Sequence, residues 1–168
     1  MRSSSGFTLL ECLLVLALLA SLLSWAVPNF QNIMDSRNTS RFATELMGLV
    51  YLAKSEAVLR NQDLWLQFQP TQEESDALVI ELTDSSEATG EVISTLTSEH
   101  FRHVVIENNY QDNKVKFYAR RGKMTSGSII FYSSLQPNKR LKLITSFGAG
   151  RIRLCAVDGG AYGYSNCE

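Results

Sequence analysis

Histidine, proline and cysteine are scarce in this chain: two, three and three in 168 residues. The two histidines, His100 and His103, stand three apart. On a strand they point to opposite faces, so they do not chelate one ion. No carboxylate–histidine spacing of a zinc hydrolase accompanies them. A G-x-S-x-G elbow, a phosphate-binding loop and a dinucleotide fingerprint are missing too. The chain reads as a non-enzyme, with no catalytic residue, no metal and no cofactor expected. Charge is missing in blocks. Residues 61–99 hold nine acidic side chains and no lysine or arginine, and residues 114–153 hold ten basic ones and no carboxylate. The formal net charge of −1 hides this split. A neutral total usually argues against nucleic-acid binding, but a segregated charge does not, because a polyanion meets the local field. The acidic stretch from Gln69 to Ser98 reads as solvated loops around edge strands, with a subunit contact as the alternative.

The head of the chain is a short polar segment with one basic residue, Arg2, followed by an apolar run from Phe7 to Val27 and then Pro28. Those 21 residues make a helix of about 30 Å, enough to cross a bilayer core. Glu11 is the one formally charged side chain in the run, and a charge at the bilayer centre costs roughly 2.5–3.5 kcal/mol. A secretory signal peptide fits poorly, because the run is longer than the usual apolar region and no A-x-A-like site follows it. A plain anchor leaves Glu11 unexplained. Arg2 places the segment before the run in the cytoplasm by the positive-inside rule.

Beyond Pro28, Phe30, Ile33, Met34, Phe42, Leu46, Leu49, Val50, Ala53 and Ala57 recur mostly at steps of three or four, which marks an amphipathic helix. One helix is therefore predicted from about Phe7 to Leu59, with loosening near Pro28. The period then changes to two. Strands are predicted at 64–68, 77–82, 100–106, 114–118, 128–132, 140–144 and 151–154. A helix followed by short strands with turn residues between them predicts an α+β fold, the helix packed on one face of a mainly antiparallel sheet. The length after Pro28 suits one domain with one core, 29–168, behind a leader, 1–6, and a membrane segment, 7–28.

Near the C-terminus, Gly148 and Gly150 permit a tight turn. Arg151 and Arg153 follow it, two apart, and project from one side of a strand while Ile152 and Leu154 face the other. Arg140 and Lys142 repeat the arrangement on the preceding strand, with Lys139 just before them. If the two strands pair as a hairpin, four cations share a face; a one-residue slip separates them. Guanidinium forks beside a glycine turn suit phosphate oxygens, although alternating arginines on a sheet face are commonly just solvated. Cys155 and Cys167 lie close together in sequence, and an oxidising compartment would permit a disulfide between them; two free thiols are the alternative. Cys12 reads as a small buried hydrophobe in the apolar run.

Gly6-Phe7-Thr8-Leu9-Leu10-Glu11 resembles the class III signal of type IV pilins and pseudopilins. The resemblance implies cleavage by a prepilin peptidase between Gly6 and Phe7, methylation of the new N-terminus, and a mature chain of 162 residues. It implies that Glu11 neutralises the terminal amine of a neighbouring subunit during assembly, a use consistent with a buried carboxylate being tolerable when paired. Pro28 matches the family's helix-loosening proline. Further marks are AKSEAVLRN at 53–61, GSIIF at 127–131, and the GRIRLC end at 150–155 with its closing Cys167. With these, the chain is similar to the FimT/GspH type of minor pseudopilin over most of its length. In the FimT branch a G-R-x-R motif is implicated in DNA binding during natural transformation. It stands here as Gly150-Arg151-Ile152-Arg153, so the resemblance implies that Arg151 and Arg153 hold the DNA backbone. Lys139, Arg140 and Lys142 are added from charge pattern alone. The expected partners are double-stranded DNA, other pilins or pseudopilins met through the N-terminal helix, the prepilin peptidase, and the bacterial inner membrane before assembly, with the C-terminal domain in the periplasm. The alternative is a structural subunit that initiates or caps a type IV pilus or type II secretion pseudopilus without touching DNA.

Overall fold

The computed structural model describes residues 8–70, 78–87, 89–101 and 103–167, with the side chains of 25–29 and 100 left aside. The expected cleavage point, Gly6 and Phe7, lies outside the described residues. Among the described residues, one α-helix, α1 (Leu9–Arg60), is followed by eight strands: β1 (Leu64–Pro70), β2 (Leu78–Thr83), β3 (Val92–Thr97), β4 (Val104–Asn108), β5 (Lys114–Phe117), β6 (Gly127–Ser133), β7 (Leu141–Ser146) and β8 (Arg151–Ala156). The chain divides into two compact units, Met1–Met34 and Asp35–Glu168.

In the first unit, Thr8 precedes the helix and its Oγ accepts the Glu11 N–H at 3.3 Å. Ser/Thr at the N-cap with Glu three residues later is the capping-box pattern, and a carboxylate in the first turn faces the positive end of the helix dipole. Backbone helix continues through Pro28. Glu11 and the side chains of Leu9, Leu10, Leu16 and Leu22 are exposed. Side chains of the apolar run are described to Ser24, and among the described residues no helix is long and apolar enough to cross a membrane.

The second unit is helix on sheet. Phe42, Leu46, Leu49, Val50, Ala53 and Ala57 of α1 are buried, the stripe expected from the spacing. They share one core with Leu64, Leu66, Ile80, Leu82, Val115 and Phe117 from one sheet and Ile106, Ile129, Phe131, Leu141 and Leu143 from another. Phe42 meets Phe101 and Phe131 edge-on, each at 5.2 Å between ring centroids. Two four-stranded sheets are present, ordered β3-β2-β1-β5 and β4-β6-β7-β8, with every pair antiparallel. The expectation of an α+β fold with a helix on antiparallel strands stands, divided between two sheets.

Two details depart from expectation. β3 lies inside the acidic block, at the edge of its sheet and, among the described residues, paired to β2 alone. And the strand expected at 100–106 begins at Val104: Ser98–His100 forms a 3-10 turn, Phe101 drops into the core, and His103 has φ +69°. A left-handed residue cannot continue an extended strand, so the alternation that included Phe101 came from a turn.

Candidate nucleic-acid interface

β7 and β8 form a hairpin in which Ser146 lies opposite Arg151, Ile144 opposite Arg153 and Lys142 opposite Cys155. Directly paired residues of an antiparallel ladder share a face. Lys142, Arg151 and Arg153 therefore stand on one side of the hairpin, together with Ile144 and Ser146. The other side carries Leu141, Leu143 and Thr145, all buried, and the half-buried Ile152 and Leu154. Burial of that apolar side fixes the register, because a slip of one residue would drive the arginines into the core. Arg151 and Arg153 are exposed and Lys142 is half-buried.

The register sets Arg140 opposite Val157 on this same face, two residues before Lys142, while Lys139 lies in the turn before it. Arg140 sits at the opposite end of the ladder from Arg151, where its backbone C=O accepts the Val157 N–H. Its guanidinium clasps Asp158 through two hydrogen bonds, 2.7 and 2.9 Å, which hold the Asp158 carboxyl below the usual carboxylate range. Together with Glu107, Tyr132, Pro137 and Asn138, this pair lines an open pocket of about 530 Å³. Two carboxylates beside one arginine leave little net field for a phosphate. Lys139 is exposed in the preceding turn, its N–H donated to the Gln136 carbonyl.

Gly150 is built into the turn that leads to the arginines. It is buried with φ +58°, and a Cβ there would lie 3.0 Å from the Gly122 carbonyl oxygen. The Lys54 ammonium, from α1, donates to the Gly150 C=O at 2.8 Å. The Phe147 N–H donates to Ser126 Oγ at 2.8 Å. These contacts seat the β7–β8 turn against the β5–β6 connection, which carries Arg120, Arg121 and Lys123. Arg120 and Arg121 are exposed, and the Lys123 ammonium lies 4.7 Å from the Phe147 ring centroid. Three cations missing from the sequence-based set thus adjoin the arginine hairpin. Their density, three in four residues, was a legible signal. Their place beside Gly150 depends on a contact between turns far apart in the chain.

Cys155 and Cys167 form a disulfide with 5.1 Å between Cα atoms. The Cys167 N–H donates to the Ala156 C=O, and the Ala156 N–H to the Ser165 C=O, each at 2.8 Å. The bridge ties the C-terminal segment to the strand that bears Arg151 and Arg153. Cys12 is exposed and unbridged. Among the described residues no cluster of His, Cys, Asp and Glu suits a metal ion.

No functionally curated protein matches the sequence. In fold, the chain is similar to the minor pseudopilin EpsH of the Vibrio cholerae type 2 secretion system. The two superpose with a TM-score of 0.55 at 13% identity, over 71% of this chain and 97% of that one. It is also similar to the type IV minor pilin FimU of Pseudomonas aeruginosa, with a TM-score of 0.52 at 22% identity over 70% and 88% of the two chains. Residues 1–27 match the prokaryotic N-terminal methylation motif. Residues 43–150, more than half of the chain, match the type II transport protein GspH, a match that stops just short of Arg151. The long helix, the antiparallel sheets and this match agree: the chain belongs to the GspH family.

Proposed function

We propose that this chain is a minor pilin or pseudopilin whose β7–β8 face binds double-stranded DNA without sequence preference and supports DNA uptake in natural transformation. The cross-strand register carries the reading, since it sets Lys142, Arg151 and Arg153 on one side of the hairpin, and the contact of the two turns adds Arg120, Arg121 and Lys123 beside it. Cations on a sheet face reach phosphates. On this face no helix is presented for the major groove among the described residues, so contacts fall on the backbone and affinity depends steeply on salt. Lys139 and Arg140 contribute less, because Asp158 already engages Arg140.

The methylation-motif match supports processing at Gly6 and Phe7, anchoring in the inner membrane before assembly, and a C-terminal domain on the periplasmic side. Glu11 is then the carboxylate that meets a neighbouring subunit's terminal amine. The disulfide fits an oxidising compartment. A second reading, a structural subunit that initiates or caps a filament without binding DNA, is favoured by the GspH match itself, which covers the domain but not the arginines.

The test is a titration of the full chain, in non-ionic detergent, with short duplexes of unrelated sequence, against an Arg151→Gln/Arg153→Gln double variant. The DNA reading expects all duplexes to bind alike and all to weaken by the same factor in the variant. Unchanged affinity in a folded variant leaves the structural reading.

A further inference from the structure

Beside the arginine face runs a ladder of alternating cations and aromatic rings. The Lys116 ammonium lies 5.2 Å from the Trp65 ring centroid and 4.8 Å from that of Tyr118. Tyr118 meets Phe147 edge-on at 5.5 Å, and Lys123 closes the series over Phe147. Phe147 is 43% exposed, so burial does little to place it. Its position comes instead from the backbone bond to Ser126 and from the Gly150–Gly122 and Lys54–Gly150 contacts of the same turn. An exposed ring on a pre-set turn, with the Lys123 ammonium at one side and Arg151 four residues further along the same turn, offers a ring and positive charge together.

Duplex DNA cannot use the ring, because its bases are already stacked on one another. A single strand can: each unpaired base has a free face, and base–aromatic stacking is tolerant of sequence. The cations of both turns serve single strand and duplex alike, and Lys116 is already paired with Asp63 at 2.8 Å, so the ring is what distinguishes the two ligands. We infer that Phe147 is a stacking platform for an unpaired base of single-stranded DNA whose backbone follows Arg120, Arg121, Arg151 and Arg153, with Tyr118 holding the ring edge-on. The inference rests on the DNA-binding reading and adds the strandedness of the ligand at that surface.

The experiment measures binding of the full chain in non-ionic detergent to an oligothymidylate and to a duplex of equal length at one salt concentration. It uses the wild type, Phe147→Leu, which keeps an apolar side chain and loses the ring, and Phe147→Tyr, which keeps the ring. The expected result is a loss of about fivefold or more for the single strand in Phe147→Leu, no change for the duplex, and near wild-type binding of both in Phe147→Tyr. Equal losses on both ligands, or none, would overturn the platform while leaving duplex binding intact. A wild-type chain that binds duplex but not single strand also overturns it alone, and one that binds neither removes the DNA reading beneath it.

Discussion

Gly150 shows how one residue can hold a surface in place. Its left-handed φ and its approach to the Gly122 carbonyl both disfavour a Cβ. A non-glycine residue held in such a conformation costs about 1–3 kcal/mol. Gly150→Ala is therefore expected to lower unfolding free energy by about that amount in urea melts, and to weaken DNA binding by shifting the turn. Tyr110 makes a different prediction. It is buried with its hydroxyl against Thr145 Oγ at 2.8 Å, and burial pushes its pKa up to about 12. An unfolded tyrosine loses its proton near pH 10. Between these values the folded state holds a proton that the unfolded state has released, so stability falls as pH rises from about 10 to 12. Tyr110→Phe should flatten this alkaline decline, at a cost of about 1 kcal/mol at neutral pH for the lost hydrogen bond. An equally steep decline in the variant would assign it to other groups.

Among the elements, α1 was the most legible in sequence, because a buried helix face repeats at three and four. Phe42 sits where α1 meets Phe101 and Phe131, and Phe42→Ala is expected to cost about 3–5 kcal/mol in a denaturant titration. The disulfide closes a short loop at the end of β8. Its removal as Cys155→Ser/Cys167→Ser should cost about 3 kcal/mol on the chain-entropy account, read as a lower melting temperature. The strands were legible where one face is buried, as in β7 with its strict alternation of buried and half-buried residues. β3 was not, because an edge strand with no fully buried position shows no clean period. Alternation also does not say which strands pair, so the two sheets were hidden. The candidate site divides in the same way. The shared side of Arg151 and Arg153 follows from their spacing. Lys142 joins them only through the observed register, and Arg120, Arg121 and Lys123 only through the contact of two turns.

On the proposed function, the molecule carries two separable devices, one for assembly at the head and one for binding near the tail. Glu11 in the first turn of α1 is well placed for the helix, yet an uncharged residue would suit an apolar run better. Glu11→Val is expected to leave the chain folded and membrane-bound and to remove it from sheared filaments, as judged by immunoblot; normal incorporation would deny Glu11 its assembly role. DNA binding should be untouched by that change. The most direct measurement of the binding device is the salt dependence of duplex affinity for the wild type and for Arg151→Gln/Arg153→Gln. If both arginines hold phosphates, log–log plots against salt will be steep, and the variant's slope will be shallower by about 2. Parallel slopes, or no binding at low salt, would contradict the account.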